Sequence, residues 1–238
     1  MRKTALFLVL CSLFVQEAMA GDLNNLGSLS QSEFVYLVED LGAALSYKAL
    51  TPAEPLGITG FDIGVEVTAT ELQHADVVDK ATAGDGFSTL LVPKLHLHKG
   101  LPANLDVGLM YAATPSSNVR LWGGELRYAF IEGSTVMPAV ALRATYSVMR
   151  GVEQLDLKNK GAELTVSKGF AILTPYAGVG NIWTFSNPDA ITGLADEDVT
   201  MAKYFAGANV NLGLMNMDFE VDKTGDALSY GAKLGWRF

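Results

Sequence analysis

Between Phe61 and Phe238, apolar and polar residues alternate one by one in stretch after stretch. Successive side chains of a strand point to opposite faces, so each stretch divides into two lists. In the first, Phe61, Ile63, Val65, Val67 and Ala69 oppose Asp62, Gly64, Glu66, Thr68 and Thr70. Further stretches follow at Leu91–Leu97, Leu105–Ala112, Trp122–Phe130, Val140–Val148, Tyr204–Leu214, Met217–Asp222 and Tyr230–Phe238. Weaker ones lie at Gly161–Ser167 and Pro175–Phe185. The pattern predicts an all-β chain of about 10 strands, within a range of 8–12.

The face opposite the apolar one carries Gly, Asn, Thr and charged residues. A soluble β-sandwich would bury its second face in a common core, and these residues would waste it. The connections also differ in kind. Gln73–Thr89 and Ser186–Met201 are long, polar and acidic, whereas Lys99–Ala103 is short. Long connections at one end and short turns at the other suit a transmembrane barrel. On the apolar face, Tyr111, Trp122, Tyr146, Trp183, Phe185, Tyr204 and Tyr230 fall at the long-loop ends of their strands. Phe61, Tyr128, Phe130, Trp236 and Phe238 fall at the other ends. Two belts of aromatic rings match the two interfaces of a bilayer. The expected fold is a closed antiparallel transmembrane β-barrel over residues 61–238, because closure satisfies every backbone group in lipid.

Composition agrees. Hydrophobic residues make up 49% of the chain and 24 residues are glycine, yet no stretch after the first 20 is apolar for 18 residues. Residues 1–20 read as a signal peptide: Arg2 and Lys3, an apolar run from Ala5 to Val15, then Ala18-Met19-Ala20. Cys11, the one cysteine, lies inside that run, so a processed chain has no disulfide. A net charge of −9 without a Lys/Arg cluster argues against nucleic acid as a partner.

Residues 21–60 follow another rule. Ser30-Gln31-Ser32-Glu33 reads as a capping box, and Phe34, Leu37, Val38, Leu41 and Leu45 recur at helical spacing. A turn-rich stretch, Thr51–Gly57, leads into the first strand. The expectation is a short helix forming a periplasmic plug or mouth cap, since its apolar stripe needs a partner.

The polar face is expected to line the lumen with Glu66, Lys94, His96, His98, Asp106, Glu125, Arg127, Arg143, Asp218, Glu220, Lys233 and Arg237, joined by Asp62, Glu163 and Asp222. Such a set serves either as an ion-pair network that locks the barrel or as a charged constriction for small solutes. His96 and His98 with Glu66 are a conceivable metal pair, but filling of the lumen is the simpler use, and no metal or cofactor is assigned. His74, Asp76 and Asp79 could pair with Asp189, Glu197 or Asp198 across two loops, as acid–histidine sites of barrel proteases do. Nothing in the spacing positions them, and no enzyme is expected.

Tyr230, Leu234, Trp236 and Phe238, alternating up to a final aromatic, resemble the C-terminal signature of Gram-negative outer-membrane barrels. Pro175–Gly180 and Pro138–Ser147 are similar to strands of the small members of that class. The resemblance implies an outer-membrane location, lipid and lipopolysaccharide as surroundings, and reading of the last strand by the barrel-assembly machinery. Glu39–Ala44 through Pro55-Leu56-Gly57 is similar to the N-terminal plug region of outer-membrane long-chain fatty-acid transporters, which are longer and have more strands. The expected role is a narrow pore or carrier for small molecules, lipophilic ones included. The other class is a structural or adhesive barrel with a filled lumen and acidic surface loops. Neither the oligomeric state nor the solute can be read from these residues.

Overall fold

The computed structural model describes residues 21–113 and 117–238; the signal-peptide reading of residues 1–20 lies outside them. Ten strands run β1 Phe61–Glu71, β2 Thr89–Leu101, β3 Leu105–Ala113, β4 Arg120–Glu132, β5 Ala139–Arg150, β6 Leu155–Ser167, β7 Leu173–Pro188, β8 Glu197–Asn211, β9 Met215–Thr224 and β10 Ala227–Arg237. Each pairs antiparallel with the next, and β10 pairs with β1, so the sheet closes without an edge. At the seam Phe238 and Phe61 exchange backbone hydrogen bonds of 2.9 and 3.0 Å. A bulge interrupts β4 against β5 between Ala129 and Ile131.

The two lists of each strand separate as the alternation requires. Ile63, Val65, Val67, Leu95, Leu109, Leu126, Leu142, Val179 and Phe219 are exposed on the outside, while Asp62, Glu66, Thr68 and Thr70 are buried inside. Trp122, Tyr146, Trp183, Tyr204 and Tyr230 face outward toward one rim, and Tyr128, Phe130, Trp236 and Phe238 toward the other. A surface of this kind is what lipid solvates, and among the described residues no helix is long and apolar enough to cross a membrane.

Strands β6, β7 and β8 run further toward the long-loop rim than their alternation predicts, leaving only residues 189–196 between β7 and β8. Their extensions carry Asp156, Lys158, Lys160, Asn187, Asp198 and Thr200 on the outward face. There the outward face turns polar while Leu155, Leu157, Ile182 and Met201 point into an apolar interior, so the alternation inverts although the ladder continues.

Two helices complete the fold: α1 Gln31–Leu45 and, between β1 and β2, α2 Ala75–Ala81. Helix α1 begins with the expected capping box, Ser30 and Glu33 each accepting from the other's backbone N–H. Its location is not the expected one. Glu33 pairs with Lys80 of α2, Gln31 bonds Glu197 and Ala195, and Asp40 accepts from the backbone N–H groups of Gln73 and His74. These partners lie at the long-loop rim, so the helix sits in the mouth opposite the short turns. The chain then passes down the lumen and joins β1 from the short-turn side. A helix at the short-turn mouth would have left its apolar stripe against charges; at the long-loop mouth it meets Leu90, Val92, Met110, Leu121, Met149 and Leu157.

Candidate functional site

Residues 46–56 form a non-helical segment through the lumen, with Leu50 at a φ of 44°, and the wall grips the backbone of this segment and of the last helical residue from several sides. Ser147 Oγ on β5 donates to the carbonyl of Leu45 at 2.9 Å. Lys203 on β8 donates to that of Tyr47 at 3.2 Å, and Lys233 on β10 to that of Leu50 at 3.3 Å. Arg143 on β5 reaches the Thr51 carbonyl at 3.3 Å, and Arg127 on β4 the Pro52 carbonyl at 2.6 Å and Thr51 Oγ1 at 2.7 Å. Two N–H groups donate in the other direction, Ala53 to Ser167 and Leu56 to Asp106. A non-helical chain inside a closed barrel has no strand to pair with, and these side chains take that place.

The segment also supplies side chains. Lys48, fully buried, pairs with Asp222 on β9 at 2.7 Å and donates to the Ala43 carbonyl at 3.1 Å. Tyr47 lies against β3 and β4, its hydroxyl 3.3 Å from His98 Nε2. Room for that ring comes from Gly108 and Gly123: a Cβ at Gly108 would sit 2.7 Å from the Tyr47 oxygen. In the last turn of the helix, Gly42 likewise lets α1 approach Thr184 and Met201.

All twelve lumen residues named from the alternation point inward, and all but Arg237, at the rim, are buried. Most ion pairs join neighbouring strands. Glu66 takes Lys94 at 2.8 Å and His96 at 2.7 Å; Asp106 takes Arg127 at 2.7 Å. Glu163 is shared by Arg143 at 2.9 Å and Lys203 at 2.7 Å, with Arg143 also 3.2 Å from Glu125. Lys233 lies 3.2 Å from Asp62 and 3.4 Å from Asp218, and Arg237 reaches Asp62 at 2.6 Å across the seam. His98 is 3.5 Å from Glu125. Glu220 is buried on β9 with no ion-pair partner among the described residues.

The alternation missed part of this site. Lys203 and Phe205 precede and interrupt the stretch that began at Tyr204, and extending its period back by one residue would have put Lys203 inside. Phe205 packs under both Arg143 and Lys203, 6.0 and 5.2 Å from its ring centre. Lys48 had one local signal, a single charge within the apolar run Leu45–Leu50.

The other sequence candidates are scattered. His96 and His98 tilt against each other at 5.4 Å, and among the described residues no group of three His, Cys, Asp or Glu is arranged to hold a metal. His74 stacks on Tyr36 at 4.3 Å and lies 3.4 Å from Asp40, so its acid comes from α1 rather than from the second loop. Asp79 accepts from Gly86, Asp189 caps its own turn and Glu197 bonds Gln31. Three of the five acids considered for a protease-like pair thus have other tasks.

No family model and no curated protein matches the sequence. Among solved structures the chain is similar to the N-terminal β-barrel domain of OprF from Pseudomonas aeruginosa, at 14% identity and a TM-score of 0.38 over 74% of this chain and 97% of that one. It is also similar to the porin KdgM in complex with disordered oligogalacturonate, at 8% identity and 0.40 over 74% and 99%. A third is the outer membrane protein Omp33 of Acinetobacter baumannii, at 6% identity and 0.33 over 76% and 100%. The architecture itself rests on the strand pairing: a closed antiparallel barrel of ten strands, threaded by its own N-terminal segment.

Proposed function

We propose that this protein is an outer-membrane barrel that rests closed, a structural and surface-displaying element rather than an open pore. The observation that carries this reading is the row of wall donors on the carbonyls of Leu45, Tyr47, Leu50, Thr51 and Pro52. A solute crossing the lumen would have to displace that segment, breaking these hydrogen bonds and the buried Lys48–Asp222 pair. Each such loss is costly in a dry interior.

A second reading, a carrier for small molecules opened by withdrawal of residues 46–56, is favoured by a separate observation. Nearly all the buried ion pairs run from wall to wall and would survive withdrawal; among the described residues Lys48–Asp222 alone crosses from the segment. Planar-bilayer recording separates the two. The folded full chain is expected to be silent, and discrete conductance steps from it would overturn the closed reading. Steps that appear only when residues 21–56 are deleted, from protein with folded-barrel migration, would favour the carrier.

A further inference from the structure

The chain carries a net charge of −9, yet its outward face holds a concentration of cations at one place. Arg120, Arg150, Lys158 and Lys160 are exposed at the long-loop ends of β4, β5 and β6. Arg120 and Arg150 are direct partners in the β4–β5 ladder, where like charges repel. Among the described residues Arg150 alone of the four has an acidic contact, the exposed Asp156 at 3.3 Å. Lys160 starts beside Tyr146 and Trp183, but its ammonium lies 5.0 Å from the ring centre of Phe185, two positions nearer the rim. It snorkels from the aromatic belt toward the headgroup layer.

On β3, β4 and β5, on the membrane side of these cations, the outer wall has an open groove of about 630 Å³. Leu109, Trp122, Leu126, Ala144 and Tyr146 line it, and Gly124 leaves its floor without a side chain. Trp122 and Tyr146 stand between the groove and the cations. The two features are continuous, a basic rim above an apolar slot.

The geometry points to a binding site for a phosphorylated glycolipid of the outer leaflet, its phosphates on Arg120, Arg150, Lys158 and Lys160 and an acyl chain in the groove over Gly124. The charges complement a phosphate-bearing headgroup on an otherwise acidic chain. Their spread across three strands, roughly 10 Å, suits two phosphates better than one. The site rests on the outer-membrane reading but not on whether the lumen conducts.

Native mass spectrometry of the full chain in neutral detergent tests it, with bisphosphorylated hexa-acyl lipid A as probe and its dephosphorylated form and phosphatidylglycerol as comparisons. One lipid A per barrel is expected, with at least about ten-fold weaker retention of either comparison. Replacing the four cations by serine should reduce lipid A binding by about ten-fold or more, and Gly124→Leu should weaken it several-fold with the charges intact. If the fourfold variant does not fold, Lys158→Ser with Lys160→Ser is the substitute. Unchanged binding by the charge variant overturns the site. Equal binding of phosphatidylglycerol, or no effect of Gly124→Leu, overturns the two-part form by reducing it to general anion attraction. A wild-type chain that fails to insert into lipid vesicles would instead overturn the outer-membrane reading, and is scored separately.

Discussion

Near the long-loop rim, the interior walls present Leu90, Val92, Met110, Leu121, Met149 and Leu157 to an amphipathic helix. A few residues further along the same strands they present Lys94, His96, Asp106, Glu125, Arg127, Arg143 and Glu163 to a non-helical segment. The two halves of one lumen are thus filled in different ways. A helix satisfies its own backbone and can sit in an apolar sleeve, as Phe34, Leu37, Val38 and Leu41 do. A non-helical chain cannot, and needs donors and acceptors from its surroundings. The change from apolar to charged walls follows the change from helix to non-helical backbone at Leu45.

That contrast can be broken or sharpened by experiment, and the largest effect is expected in the charged half. Arg127→Ala removes the partner of buried Asp106 and the donor to Pro52 and Thr51. It should cost about 3–5 kcal/mol, read from urea unfolding in lipid vesicles. The double variant Arg127→Met, Asp106→Leu should recover most of the loss, because no charge is then left unpaired. If Arg127→Ala costs no more than a surface charge, that half is hydrated and the contrast fails.

In the apolar half, Leu37→Ala should cost about 2–5 kcal/mol by leaving a cavity under α1. The sharper expectation is locational: hydrogen exchange should rise over α1 and α2, with the amides of Ala53 and Leu56 unchanged. Coupled loss in both halves would mean that helix and non-helical segment leave as one unit. A smaller change, Ser30→Ala, should cost about 1 kcal/mol through loss of the capping box, read by the same unfolding curves.

The smallest expected effect is a pH response at the same helix start. Hydrogen bonding to Lys80 first, and then to Ser30, lowers the Glu33 carboxyl from 4.5 to about 2. A carboxyl depressed in the folded state stabilises it above the unfolded value and stops doing so as pH falls through the folded one. The first turn of α1 should therefore hold at pH 5 and loosen between about 4.5 and about 2, followed by amide NMR of Glu33 and Phe34. Lys80→Met should move the onset upward. Loosening that ignores Lys80 would assign it to another group.

Much of the molecule was legible as sequence because its rules are local. Alternation assigns each strand residue to lumen or lipid without knowledge of its neighbours, so Glu66, Arg127 and Lys233 were read as inward. Ser30 and Glu33 are three residues apart, and their capping box needs nothing beyond the turn they start. The alternation failed where the barrel leaves the apolar layer, at Leu155–Lys160 and Glu197–Lys203, because there the outward side is polar and the inward side, with Leu155, Leu157 and Met201, is apolar, the reverse of the membrane layer.

Tertiary structure decided what depends on register and on the path of the chain. That Arg237 meets Asp62 follows from β10 closing onto β1. That Lys203 and Arg143 share Glu163 follows from two strands on either side of it. The position of α1 was likewise beyond local reading: its stripe asks for an apolar partner, and either mouth of a barrel could have supplied one. Only the folded interior, apolar at the long-loop end and charged at the other, decides which end the helix occupies. Periodicity is a property of neighbouring residues, whereas pairing and depth belong to the closed sheet.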